Sequence, residues 1–176
     1  PAIAKDCSLI VIDGERGIGN GAVFPAGPLR APLRQQLART DALVVVGDGS
    51  AADTVAAAVA AQGQPVLCAQ LTPDPAAVAR LTGRGVLAFA GIGDPARFFR
   101  TLRGSGIDVI AARAFPDHHP FSKAEIDALV AAATRDGLTV VTTEKDLARL
   151  RDGEGIPGWA RDIVPFAVKL GFEDTA

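Results

Sequence analysis

The sequence predicts an α/β fold in which a largely parallel sheet is covered by helices. Two observations carry this expectation. Short, continuous, β-branched runs recur along the chain, and helical patterns separate them. Ser8–Asp13 reads as a buried strand that Gly14 ends. Positions 14–27 form a loop carrying five glycines and Pro25. Leu29, Leu33 and Leu37 recur at a spacing of four, which predicts an amphipathic helix over Pro28–Thr40 with Pro32 near its first turns. Ala42–Val46 is the second buried strand. Ser50–Ala61 is helical, with Ser50 as its cap and Asp53 three residues on. Pro65–Ala69 is the third strand.

Leu71–Pro75 is the best seam in the chain, because two prolines within three residues resist regular structure. A short helix ends at Leu81, and Val86–Ala90 is the fourth strand. Asp94 and Pro95 suit the cap and first position of a helix over Ala96–Arg103. Ile107–Ala111 is the fifth strand. Ser122–Arg135 is the clearest helix: Ser122 and Glu125 make a capping box, Ile126, Leu129, Val130 and Ala133 make its buried stripe, and Gly137 terminates it. Leu138–Thr142 is the sixth strand, Glu144–Leu150 a short helix, and Ile163–Leu170 a last strand. Pro165 lacks a ladder donor and so puts that strand at an edge.

Composition narrows the function classes. At 176 residues, 48% apolar and 22% charged, the chain is globular rather than disordered. A net charge of −2 argues against non-specific binding of nucleic acid. Two cysteines, Cys7 and Cys68, are too few for a disulfide framework or a thiolate metal site, and both are expected as buried free thiols. The longest apolar runs are strand-sized, far below the ~20 residues a bilayer demands. The chain holds no Met and enters its first strand almost at once, which predicts a piece of a longer protein.

Ligands of parallel sheets sit at the carboxyl ends of strands, so the loops there carry the functional candidates. Positions 17–21, Gly-Ile-Gly-Asn-Gly, have the wrong spacing for a dinucleotide fingerprint and fit glycine-rich turns. Gly91-Ile92-Gly93-Asp94 is better placed for an anion, although Asp94 would repel one. Phe115-Pro116-Asp117-His118-His119-Pro120-Phe121 holds both histidines beside a carboxylate. Imidazole titrates near neutral pH, which suits catalysis or substrate contact, and a hydrogen-bonded structural His in a rigid loop is the bland alternative. In Thr142-Thr143-Glu144-Lys145-Asp146, capping by Thr143 explains most of the motif and leaves Lys145 free to meet an anionic substrate. Arg30, in the first turn of the predicted helix, opposes the helix dipole. It therefore pairs either with an anionic ligand or with a carboxylate such as Asp13 or Glu15. No P-loop and no nucleophile elbow occurs.

Five motifs in order, at positions 12–21, 25–30, 89–99, 115–119 and 142–146, resemble those of the tetraacyldisaccharide 4'-kinases of lipid A biosynthesis. The resemblance implies a two-lobed, P-loop-kinase-like enzyme. It transfers the γ-phosphate of ATP, with Mg²⁺, to the 4'-hydroxyl of an acylated glucosamine disaccharide phosphate. Partners would be that lipid A precursor, ATP and the membrane surface, with peripheral placement at the cytoplasmic face of the bacterial inner membrane. Positions 1–71 would be the end of the nucleotide-binding lobe and 72–176 the smaller C-terminal lobe. The phosphate-binding loop and the catalytic Asp, with most of the ATP and Mg²⁺ contacts, would lie upstream, so the piece alone would be inactive. His118 matches the histidine that supports the catalytic carboxylate, and Arg30, Asp117 and Lys145 are expected substrate contacts. Ala31 stands where the family pattern has Glu, so any ion pair made by that Glu is lost. The alternative from the residues alone is a non-catalytic α/β module that binds a phosphorylated or nucleotide-sugar ligand.

Overall fold

A computed structural model describes residues 5–150 and 158–173. In chain order the elements are β1 (Leu9–Asp13), α1 (Leu33–Leu37), β2 (Ala42–Val46), α2 (Asp53–Ala60), β3 (Val66–Pro73), α3 (Pro75–Leu81), β4 (Gly85–Ala90), α4 (Pro95–Gly104), β5 (Asp108–Ala114), α5 (Lys123–Arg135), β6 (Thr139–Thr143), α6 (Glu144–Arg149), β7 (Val164–Phe166) and β8 (Val168–Phe172). The alternation of strands and helices is thus realised, in two four-stranded sheets rather than one. Their orders are β1-β2-β3-β8 and β5-β4-β6-β7. The pairings β1–β2 and β2–β3 are parallel, as are all three in the second sheet.

The chain divides into two compact units. One comprises Pro1–Thr72 with Leu170–Ala176, the other Pro73–Lys169. The second unit is therefore nested within the first. Its entry and exit are tied together, since Asp74 donates its N–H to the Ala167 carbonyl at 2.9 Å and its carboxylate pairs with Lys169 at 2.5 Å.

Within the second unit, alternation along β4 sends side chains to two different cores. Val86, Ala88 and Ala90 join Leu81, Phe98, Phe99 and Leu102 of α3 and α4. Leu87 and Phe89 join Ile126, Leu129, Ala133 and Leu147 of α5 and α6. In the first unit, Ile12 and Leu43 pack with Leu37, Val55 and Val59 of the helices on one face. The other face gathers Val44, Val46, Ala69 and Leu67, all from strands.

The structure corrects several sequence expectations. Helix α1 spans Leu33–Leu37 rather than 28–40, because Pro32 forces Ala31 out of the helical region and neither Pro28 nor Pro32 has an N–H to donate. Arg30 consequently lies in a loop and not in a first helical turn. Helix α2 starts at Asp53 with Ala52 at its cap and no side-chain cap bond; Ser50 contributes its carbonyl to the Asp53 N–H instead. The single strand expected over 163–170 is two, β7 and β8, in different sheets. Pro165 does lie in an edge strand, opposite Thr142. Strand β1 is also an edge strand, so Leu9 and Val11 face solvent although the run reads as doubly buried. Both cysteines are exposed rather than buried: Cys7 precedes β1, and Cys68 points away from the buried Ala69 next to it in β3.

Candidate functional site

Parallel pairing brings the carboxyl ends of β4, β5 and β6 to the same end of the second sheet. Three chain segments meet there: positions 91–94, positions 115–122 and the start of α6. Thr142 fastens β6 to β4 by donating its buried hydroxyl to the Phe89 carbonyl at 2.8 Å. One residue on, Thr143 caps α6 by accepting the Asp146 N–H at 3.0 Å.

Asp146 is wholly buried and is held by convergent donors. Its Oδ2 accepts the Gly91 N–H at 3.0 Å and the Thr143 hydroxyl at 2.9 Å, and its Oδ1 accepts Arg149 Nη1 at 2.8 Å. This settles what occupies the glycine turn after β4. The Gly91 amide that a bound anion would use is taken by a protein carboxylate, and the Asp94 carboxylate caps α4 by accepting the Arg97 N–H at 2.9 Å. Gly91 also sits in a tight approach: a Cβ there would lie 3.0 Å from the Phe121 ring and 3.3 Å from the Pro116 carbonyl oxygen, so the neighbours would have to shift to admit it.

Arg149 reaches from Asp146 to the histidine loop. Its Nη1 also donates to the Gly91 carbonyl at 2.7 Å, and its Nη2 donates to His118 Nδ1 at 2.9 Å. His118 sits at φ +59°, a left-handed conformation uncommon outside glycine. It completes a turn in which His119 donates its N–H to the Pro116 carbonyl at 3.2 Å, while the His118 N–H points to Asp117 Oδ1 at 2.9 Å and to the Gly91 carbonyl at 3.1 Å. The His118 ring is 70% exposed and its Nε2 lies 3.8 Å from Asp117 Oδ2.

The two histidines have different surroundings. His119 stacks on Phe115 with ring centroids 4.9 Å apart, meets Phe121 edge-on, and bonds Glu125 Oε1 through Nε2 at 2.9 Å. Glu125 Oε2 accepts both the N–H and the hydroxyl of Ser122, which completes the capping box. Bonds from the Ser122 backbone, the Ser122 hydroxyl and the His119 ring, in that order, hold the Glu125 carboxyl down from its ordinary 4.5 to about 2.

Of the residues singled out from sequence, Asp117 and His118 adjoin each other in this loop. Lys145 is exposed on α6. Arg30 is exposed in the first unit. Sequence reasoning missed Arg149 and the central place of Asp146. The available signal was their spacing: residues three apart on a helix share a face, and a carboxylate and an arginine so spaced form a pair. Among the described residues no three His, Cys, Asp or Glu side chains gather as a metal site requires. No described helix is long and apolar enough to cross a membrane.

A parallel sheet sandwiched by helices, with a buried acid, an arginine and an exposed imidazole at its strand ends, defines an α/β protein of doubly wound type whose candidate site lies in the strand-end loops. More narrowly, the chain belongs to the tetraacyldisaccharide-1-P 4'-kinase family, whose model matches residues 1–176. It is 66% identical over 174 residues to the Tetraacyldisaccharide 4'-kinase of Nitrobacter winogradskyi, covering 99% of this chain and 52% of that protein. The protein of the same name from Bradyrhizobium diazoefficiens is also 66% identical, over 100% of this chain and 51% of its own length. The chain thus spans about half the length of these curated relatives. The fold is shared with a crystal structure of LpxK from Aquifex aeolicus in complex with ATP, at a TM-score of 0.59 and 24% identity over 97% of this chain and 50% of that one.

Proposed function

We propose that this chain is the C-terminal portion of a kinase that moves the γ-phosphate of ATP to the 4'-hydroxyl of a tetraacyldisaccharide 1-phosphate. The relatives' shared name supports the reaction class, and one observation of this chain carries the reading: an exposed imidazole held at the strand ends by an arginine that a buried aspartate anchors. In this reading the hydroxyl oxygen bonds the γ-phosphorus as the bond to the β–γ bridging oxygen breaks and ADP leaves. The hydroxyl proton passes to a carboxylate supplied by the rest of the enzyme. His118 hydrogen-bonds that carboxylate and orients it. Asp117, beside the ring, and the exposed cations Lys145 and Arg30 contact the sugar and phosphate groups of substrate.

Positions 1–71 close the nucleotide-binding lobe and 72–176 supply the smaller lobe, apart from the stretch from Leu170 onward that belongs with the first unit. ATP and Mg²⁺ bind chiefly outside this chain, where the phosphate-binding loop would lie; within it the Gly91 amide already meets the Asp146 carboxylate. The enzyme works peripherally at the cytoplasmic face of the inner membrane, where its acylated substrate resides.

The test is His118→Asn in the full-length protein. Asn tolerates positive φ, so the turn is kept. We expect kcat to fall by about a hundredfold with little change in KM for ATP, the cost of a misaligned reacting group. Turnover at the wild-type rate would remove His118 from the mechanism. The isolated chain is expected to show no saturable micromolar ATP binding by calorimetry, and such binding would contradict the division of labour.

A further inference from the structure

We infer that Arg149 is a positioning residue that fixes His118 in one tautomer, with the hydrogen on Nε2 and that nitrogen turned outward as a donor. The catalytic consequence rests on the reading above; the tautomer itself does not. A guanidinium carries only donors and remains charged throughout the accessible pH range. With Arg149 Nη2 at 2.9 Å, His118 Nδ1 must accept, so the neutral ring carries its hydrogen on Nε2. The Asp117 carboxylate, 3.8 Å from Nε2, lies on the donor side of the ring, as this tautomer favours.

Arg149 is itself anchored. Its side chain is 21% exposed, and Nη1 is divided between the Gly91 carbonyl and the buried Asp146. Asp146 is pinned by the Gly91 N–H and the Thr143 hydroxyl. An unbroken set of hydrogen bonds therefore runs from the carboxyl ends of β4 and β6 to one ring nitrogen. Gly91 makes three of these bonds: its N–H donates to Asp146, and its carbonyl accepts from both Arg149 Nη1 and the His118 N–H. The ring is held at both backbone and side chain, and what it offers outward is an N–H. Such a group donates to a carboxylate and orients it; it does not take the substrate proton itself.

The experiment uses the two histidines as signal and reference. In the ¹⁵N-labelled chain, long-range ¹H–¹⁵N correlations distinguish the two neutral tautomers of each imidazole. We expect His118 to show the Nε2–H pattern in the wild type and in Arg149→Lys, which keeps a donor. In Arg149→Met we expect loss of the single tautomer, with the His119 signals unchanged as proof that the loop is folded. An Nδ1–H pattern for wild-type His118 overturns the inference whether or not any variant folds, as does an unchanged Nε2–H pattern in Arg149→Met. In the full-length protein Arg149→Met should lower kcat between about tenfold and a hundredfold, Arg149→Lys should restore part of it, and adding Arg149→Met to His118→Asn should cost little more. Full turnover in His118→Asn with the expected tautomer would sink the proposed reaction role and leave the inference standing.

Discussion

The two units treat similar apolar strands in different ways. In the second unit β4 is central, helices cover both faces of its sheet, and Val86, Leu87, Ala88, Phe89 and Ala90 are all buried. In the first unit β1 carries an equally apolar run at the sheet edge, where Ile12 is buried while Leu9 and Val11 are 55% and 61% exposed. Local sequence decides that each run is a strand; position in the sheet and the presence of a covering helix decide what that strand buries. The loops of the candidate site belong to the unit whose central strand is covered on both faces, which gives Asp146 and Arg149 a packed base.

Core truncation probes this contrast most strongly. Phe89→Ala should cost about 3–5 kcal/mol, because the ring packs edge-on against Phe115 and Phe121 and leaves a cavity. Val11→Thr, on the exposed face of β1, should stay within about 0.5 kcal/mol. Urea unfolding of both variants measures the difference, and equal costs would break the comparison. A smaller effect sharpens it within the second unit. Glu125 is held at about 2 in the fold against an ordinary 4.5, so its ionised form stabilises the fold above pH 4.5 and that contribution fades as pH falls towards 2. Glu125→Gln should therefore unfold at lower urea than wild type at pH 6, with the gap closing between pH 4.5 and 2. A gap independent of pH would show that the charge is not what Ser122 and His119 stabilise.

Much of the second unit is legible in the sequence, because its signals are local. The Asp94–Pro95 start of α4, the Ser122–Glu125 box of α5 and the Thr143 cap of α6 each rest on residues within three or four positions of one another. What resisted reading depends on partners far along the chain. The exposure of Leu9 and Val11 follows from sheet order and from which face lacks a helix. The separation of β7 from β8 follows from the chain changing sheets around Ala167. The hub of the candidate site is of the same kind. Asp146 meets Gly91 from 55 positions away and Arg149 meets His118 from 31, so the histidine motif was visible but the group that orients it was not.

Because the stretch from Pro73 to Lys169 begins and ends side by side, it has the anatomy of a cassette spliced into a host. Domain insertions succeed where the two junctions already adjoin, since joining them demands no stretch of either partner. The Asp74–Lys169 pair and the Asp74–Ala167 bond make such a clasp at its base. A host keeping only 1–72 and 170–176 would need no more than a tight turn to reconnect β3 with β8, its neighbour in the sheet.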